Sequence, residues 1–106
     1  MKFKNEQVFQ AVLTTKGRKT GKEHSVILRA VTYGGKIYFS RHKVDGDWIK
    51  NAISNPNVRV EFENSSFFGK ATLVSDTNLA KKISEIKYPG EERAKEKRVV
   101  LEVSLN

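Results

Sequence analysis

The chain has 106 residues, of which 38% are hydrophobic and 30% charged, and its formal charge is +8; this composition buries a core and excludes a disordered chain. Cysteine is absent, which excludes disulfides, thiolate nucleophiles and cysteine-ligated metal centres. No apolar run approaches the roughly 18 residues of a membrane span and the first residues lack a signal peptide's apolar stretch, so the expectation is one cytoplasmic domain over residues 1–106, without integral membrane association.

Val8 to Thr15 reads as a strand, with Phe9, Ala11 and Leu13 on one face and Val8, Val12 and Thr14 on the other. Lys16 to Glu23 reads as a turn in which Gly17 and Gly21 are free to take positive φ. Ser25 to Thr32 is a second strand. Val26, Leu28 and Ala30 face one way and Ile27, Arg29 and Val31 the other, which predicts a strand covered on both sides. Tyr33-Gly34-Gly35-Lys36 is a hairpin signal leading into a third strand, Lys36 to Ser40. Asp45 or Asp47 can cap a short helix that carries Trp48, Ile49, Ala52 and Ile53 and stops at Asn55-Pro56. Val58, Val60 and Phe62 alternate with Arg59, Glu61 and Glu63 in a half-exposed strand. Asn64-Ser65 turns the chain into a fifth strand, Phe67 to Ser75. Asp76 or Thr77 caps a second helix, on which Leu79, Ile83 and Ile86 recur at helical spacing until Tyr88-Pro89-Gly90. Glu91 to Arg98 is a charged loop or a short helical turn, and Val99 to Leu105 is the last strand. Six strands and two short helices predict a mainly β protein and suggest a small closed or nearly closed barrel, since closure removes exposed sheet edges. A split barrel, an OB-like barrel and an open α+β sheet all fit this pattern.

The charge is lopsided. Residues 1–50 hold 11 Lys or Arg against 4 acids, whereas residues 51–106 hold 9 against 8. Such a bias attracts nucleic acid, an anionic surface or a phosphorylated small molecule, or simply maintains solubility. Its densest point is Thr14-Thr15-Lys16-Gly17-Arg18-Lys19-Thr20-Gly21-Lys22. Arg18 can grip a phosphate through its planar fork, and Lys16, Lys19 and Lys22 act as mobile point charges. Thr20 offers a hydroxyl, and amides beside Gly17 and Gly21 can form an anion nest. The spacing is not that of a P-loop, and the segment leads into a strand instead of a helix. The competing reading is a solvated hairpin turn.

Other residues carry weaker signals. Arg29 interrupts an apolar strand face, so it either enters a ligand groove or lies at an edge with its head in water. Arg41-His42-Lys43 follows the third strand and can add phosphate contacts. His24 and His42 are the only histidines, and neither has acidic neighbours at metal-ligand spacing, so no metal site is expected. No triad or carboxylate pair is evident. Trp48 is either core packing or the wall of a flat aromatic site. Phe67 and Phe68 point to opposite faces. A nucleic-acid module would use the basic cluster with nearby aromatics, but no recognition helix, zinc finger or aromatic RNA-binding signature appears. A cofactor enzyme asks less of the side chains, because a flavin or deazaflavin carries the redox chemistry itself.

Leu13 to Lys22, followed in order by Asp47-Trp48-Ile49-Lys50-Asn51-Ala52-Ile53-Ser54-Asn55-Pro56-Asn57-Val58-Arg59-Val60, resembles the deazaflavin (F420)-dependent nitroreductase-like family. That family is related to the pyridoxamine-phosphate-oxidase-like split-barrel flavoproteins. The matched segments and the strands between them cover roughly residues 10–75. The resemblance implies a split β-barrel, FMN-binding-protein-like, that holds F420, or alternatively FMN, and transfers hydride equivalents to a small organic acceptor. It implies a homodimer with cofactor sites near its interface. Carried onto this sequence, the cofactor's tail falls to Arg18, Lys19, Thr20 and Gly21, with Lys16 and Lys22 added on charge. Arg41 and His42 fall near the cofactor ring, and Trp48 begins the matched helix. The segment from Arg41 to Asp47 is shorter and more basic than the family's usual loop.

Overall fold

A computed structural model describes residues 6–17, 19–41, 47–90 and 99–106, with the side chains of Arg41 and Asp47 excepted. Six strands alternate around two helices: β1 (Val8–Lys16), β2 (Glu23–Tyr33), β3 (Lys36–Arg41), α1 (Asp47–Ser54), β4 (Asn57–Phe62), β5 (Ser65–Leu73), α2 (Thr77–Lys87) and β6 (Val99–Leu105). The strands form a closed antiparallel barrel in the order β1-β2-β3-β6-β5-β4. Closure excludes the open α+β sheet among the three arrangements compatible with the sequence. The expected segment from Glu91 to Arg98 lies outside the described residues.

The register explains the core. β1 pairs with β2 from Val8↔Val31 to Lys16↔Glu23, and with β4 through Val12↔Glu61, Leu13↔Val60 and Thr14↔Arg59. Side chains alternate across a strand, so Ala11, Leu13, Ala30, Val58 and Val60 all turn inward. There they meet Ile37, Phe39, Leu101 and Val103. α1 packs against β1 and β5 and sends Trp48, Ile49 and Ala52 into the same cluster. Phe9 and Phe67 each stack on Phe62, with ring centroids 4.8 and 5.3 Å apart.

α2 lies outside the barrel against β2, β3 and β6. Its Ile83 packs on Val31, Tyr38 and Val100. Asp76 is the cap, accepting from the amides of Asn78 and Leu79 at 2.9 and 3.2 Å. At the far end the buried Lys87 Nζ donates to the Ser40 carbonyl and Oγ at 3.2 and 3.0 Å, fastening the helix to the end of β3. Because α2 reaches only the C-terminal part of β2, the expectation of cover on both faces fails in the N-terminal part. Ile27 is 69% exposed. Phe67 and Phe68 do diverge: Phe67 joins the inner aromatic row, and Phe68 is 64% exposed on the outside.

Beneath α2 the outer face carries one polar lock. Tyr38 and Glu102 are register partners on β3 and β6. The Tyr38 hydroxyl donates to Glu102 Oε2 at 3.0 Å, and Lys36 Nζ meets Oε1 at 2.9 Å. Burial first, and then the bond to Glu102, push the Tyr38 phenol up from 10.0 to about 12. A raised phenol favours the protonated fold, so its contribution is complete below about pH 10 and disappears as pH rises toward about 12. We expect the urea midpoint to fall across that window and the Tyr38→Phe variant to lose less. Equal slopes in the two proteins would show that Tyr38 is not responsible.

Candidate cofactor cleft

β1 and β2 continue past the last β1–β4 pair, so their hairpin overhangs the barrel end beside α1. Between them lies a cleft of about 570 Å³. Lys19, Thr20 and Lys22 line one side, Trp48 and Asn51 of α1 the other, and Thr15, His24 and Val26 the base. The cationic loop and the tryptophan helix, far apart in sequence, therefore share one site.

The hairpin loop is held by its own backbone. The Gly17 amide donates to the Lys22 carbonyl at 2.7 Å, and the Gly21 amide donates to the Gly17 carbonyl at 2.9 Å. The Lys22 amide donates to Thr20 Oγ1 at 3.3 Å. The amides of Gly17, Gly21 and Lys22 are thus spent inside the loop and are not available to a nest, while the cationic side chains add attraction for an anion. Gly21 takes positive φ, at +71°, as its sequence position suggests. Gly17 does not, and only exposed side chains crowd it. A Cβ there would lie 2.9 Å from His24 Nε2 and 3.2 Å from Thr20 Oγ1.

The α1 side is neutral and incompletely bonded. Trp48 is 7% exposed and meets Phe39 edge-on at 6.3 Å, so it is core packing and cleft wall at once. Its indole Nε1–H is buried and makes no hydrogen bond. Thr15 is 1% exposed, and its Oγ1 is likewise without a partner. Leaving such groups unsatisfied costs about 1–3 kcal/mol each, and both residues line the same cleft.

The structure brings Lys19, Thr20, Lys22 and Trp48 together, as expected. Gly21 shapes the loop without lining the cleft. Lys16 is exposed, and its register places it on the outer face opposite Glu23. Arg29 also turns outward, because it pairs with Gln10 on that face, and its guanidinium lies 6.0 Å from the Tyr88 ring. Arg18, His42 and the side chain of Arg41 lie outside the described residues. Thr15, His24 and Asn51 join the site beyond the expected set. Inward alternation through Ala11 and Leu13 continues to Thr15, which is the signal that could have found it. Among the described residues, no group of three His, Cys, Asp or Glu side chains is placed to hold a metal.

Comparison with solved structures supports a class of fold first. A putative pyridoxamine 5'-phosphate oxidase from Listeria innocua superposes with TM-score 0.73 at 19% identity, over 92% of this chain and 83% of that one. A structure described as an F420-H2 dependent reductase gives 0.72 at 22%, over 98% and 99%. A third, described as a domain-swapped dimer, gives 0.72 at 22%, over 95% and 82%. The barrel is thus of the split-barrel type. A search among curated proteins finds no significant match. The profile of the F420H(2)-dependent quinone reductase family matches residues 2–100, and the chain belongs to that family of F420-dependent oxidoreductases.

The orphaned groups make the cleft testable without any ligand. Thr15→Val removes an unsatisfied hydroxyl at nearly constant shape. We expect the ligand-free protein to gain about 1 kcal/mol in urea unfolding. A loss of stability would mean that the Thr15 hydroxyl already has a partner in solution.

Proposed function

We propose that this protein binds F420 in the cleft between the 17–22 loop and α1 and reduces a small organic acceptor. The observation that carries the reading is the pairing, in one cleft, of a cationic loop with buried, unpartnered neutral hydrogen-bonding groups on a wall that includes an indole. A cofactor with a phosphate-bearing tail and a flat polar ring fits that division. Bound there in its reduced form, F420 would supply the hydride equivalent from C5 of its ring. Lys19 and Lys22 neutralise the tail, and Thr20, whose oxygen already accepts from the Lys22 amide, keeps its O–H to donate. Arg18 of the same loop and Gly21, which sets the loop's turn, complete the tail-binding set. The family resemblance, and not the described structure, assigns Arg41 and His42 to the ring's surroundings. Trp48 Nε1 and Thr15 Oγ1 offer neutral hydrogen bonds to the ring, while the packed barrel beneath them excludes water. Lys16, turned outward, contributes to the field and not to contact.

The test is calorimetric and fluorescence titration with oxidised F420 and, separately, with FMN. Saturable F420 binding is expected, with FMN at least tenfold weaker; no saturable binding of F420 overturns the reading. Replacing both Arg18 and Lys19 with alanine should weaken F420 binding by roughly tenfold or more, the scale of losing a charge-assisted hydrogen bond, with the circular dichroism spectrum unchanged. Unchanged affinity would remove both residues from the site.

We also propose that the protein works as a homodimer. The support is the uncovered outer face, where Ile27 and Phe68 are exposed, together with the dimeric description of one structural neighbour. Light scattering should return twice the chain mass; a monomer at working concentration overturns it.

A further inference from the structure

The cleft carries two kinds of basic side chain. Lysine stays charged throughout the neutral range, whereas an imidazole gains or loses its charge roughly between pH 5 and 8. His24 is the imidazole. The β1–β2 register pairs it with Thr15, and both line the cleft. Its ring rests so closely on Gly17 that an added Cβ would sit 2.9 Å from Nε2 and 3.2 Å from Cδ2. The same Cβ would lie 3.2 Å from Thr20 Oγ1, so Gly17, His24 and Thr20 form one packed unit beside the two lysines.

The charged surroundings of that ring are one-sided. From the loop, Lys19 and Lys22 share its cleft, and Arg18 belongs to the same segment. From β1, Lys16 stands at the strand end on the outer face. From β2, Glu23 turns to that outer face, where Arg59 NH1 holds it at 3.5 Å. From α1, the lining residues Trp48 and Asn51 are neutral, and Lys50 is exposed. No carboxylate lines the cleft among the described residues. Among the described residues the cleft therefore offers the ring no anionic partner, whereas a bound anion would be one; the side chain of Asp47 lies outside the described residues.

We propose that His24 is a proton-linked anion ligand: the cleft holds the oxyanion of its ligand more tightly when the imidazole is protonated, and binding draws a proton onto the ring. The proposal starts from the cofactor-tail reading above and adds to it a specific residue and a sign. Binding of a negative group favours the charged form of the imidazole, so affinity must rise as pH falls through the neutral range. The lysines supply the part of the attraction that pH leaves alone.

Inorganic sulfate is the clean probe, because its own charge is constant over this range. It is titrated into ¹⁵N-labelled protein at about pH 5.5 and about pH 8, following the amides of Gly17, Thr20 and Gly21. The wild-type protein should bind sulfate about fivefold or more tightly at the lower pH. His24→Gln, which keeps a polar side chain of similar reach, should abolish that difference and keep the weaker binding due to the lysines. Its ¹⁵N spectrum reports whether the fold is retained, and a Lys22→Gln variant, expected to weaken binding at both pH values alike, serves as the comparison. The same pH dependence in His24→Gln, or no sulfate response at either pH, overturns the proposal. Saturable F420 binding beside a pH-independent sulfate response removes His24 alone. A His24-dependent sulfate response without F420 binding keeps the anion site and removes the cofactor reading.

Discussion

Three residue pairs close the barrel: Val12 with Glu61, Leu13 with Val60 and Thr14 with Arg59. β1 continues on its other side for two further pairs, Thr15↔His24 and Lys16↔Glu23, but β4 does not follow. One more step in the closing register would set Val58 opposite Thr15 and shut the wall. Instead α1, which enters β4 through Asn55-Pro56, occupies that end. Backbone pairing stops at Thr14, the hairpin overhangs, and the gap between the hairpin and α1 is the cleft. The short closure is thus both the last fastening of the fold and the edge of its site.

That constraint separates stabilising elements from functional ones. α2 and the Tyr38–Glu102–Lys36 lock sit on the outer face of β3 and β6, and Lys87 fixes α2 to Ser40 at the end of β3. None of these residues lines the cleft. α1 serves both purposes, because Ile49 and Ala52 fill the barrel core while Trp48 and Asn51 wall the cleft. The two groups left without hydrogen-bond partners, Thr15 Oγ1 and Trp48 Nε1, lie where the barrel wall ends. A buried donor or acceptor left open costs the fold free energy, and a ligand that bonds to it recovers that cost.

The strands were legible because period-two alternation survives in Val8–Thr15 and Val58–Glu63 without help from distant residues. The cover over β2 was not, since apolar residues on both faces do not reveal how far a helix of 11 residues reaches. A closed or nearly closed barrel was legible, but not the order of its strands, because strand pattern alone does not specify which edges meet. In the site, residue type disclosed the cations and the family motif disclosed their company with Trp48. The bonding inside the loop was invisible, because which amides Gly17 and Gly21 expend depends on the conformation between them. Gly17 is the sharpest case. Sequence suggested positive φ, whereas Gly17 lies outside that region and instead has the His24 ring beside it, brought across the hairpin by pairing.

The loop's internal bonds also decide what kind of recognition the cleft can perform. An anion nest would read a phosphate through fixed amide directions. Here the amides of Gly17, Gly21 and Lys22 are occupied and are not available to a nest, while the loop's lysine side chains carry charges that act over distance and are screened by salt. Direction can also come from the barrel side. The buried groups of Thr15 and Trp48, one on β1 and the other on α1, are held by the packed barrel and have little freedom to adjust. On the proposed reading, long-range attraction on the loop side and neutral polar groups on the barrel side would favour a ligand that is charged at one end and flat and neutral at the other.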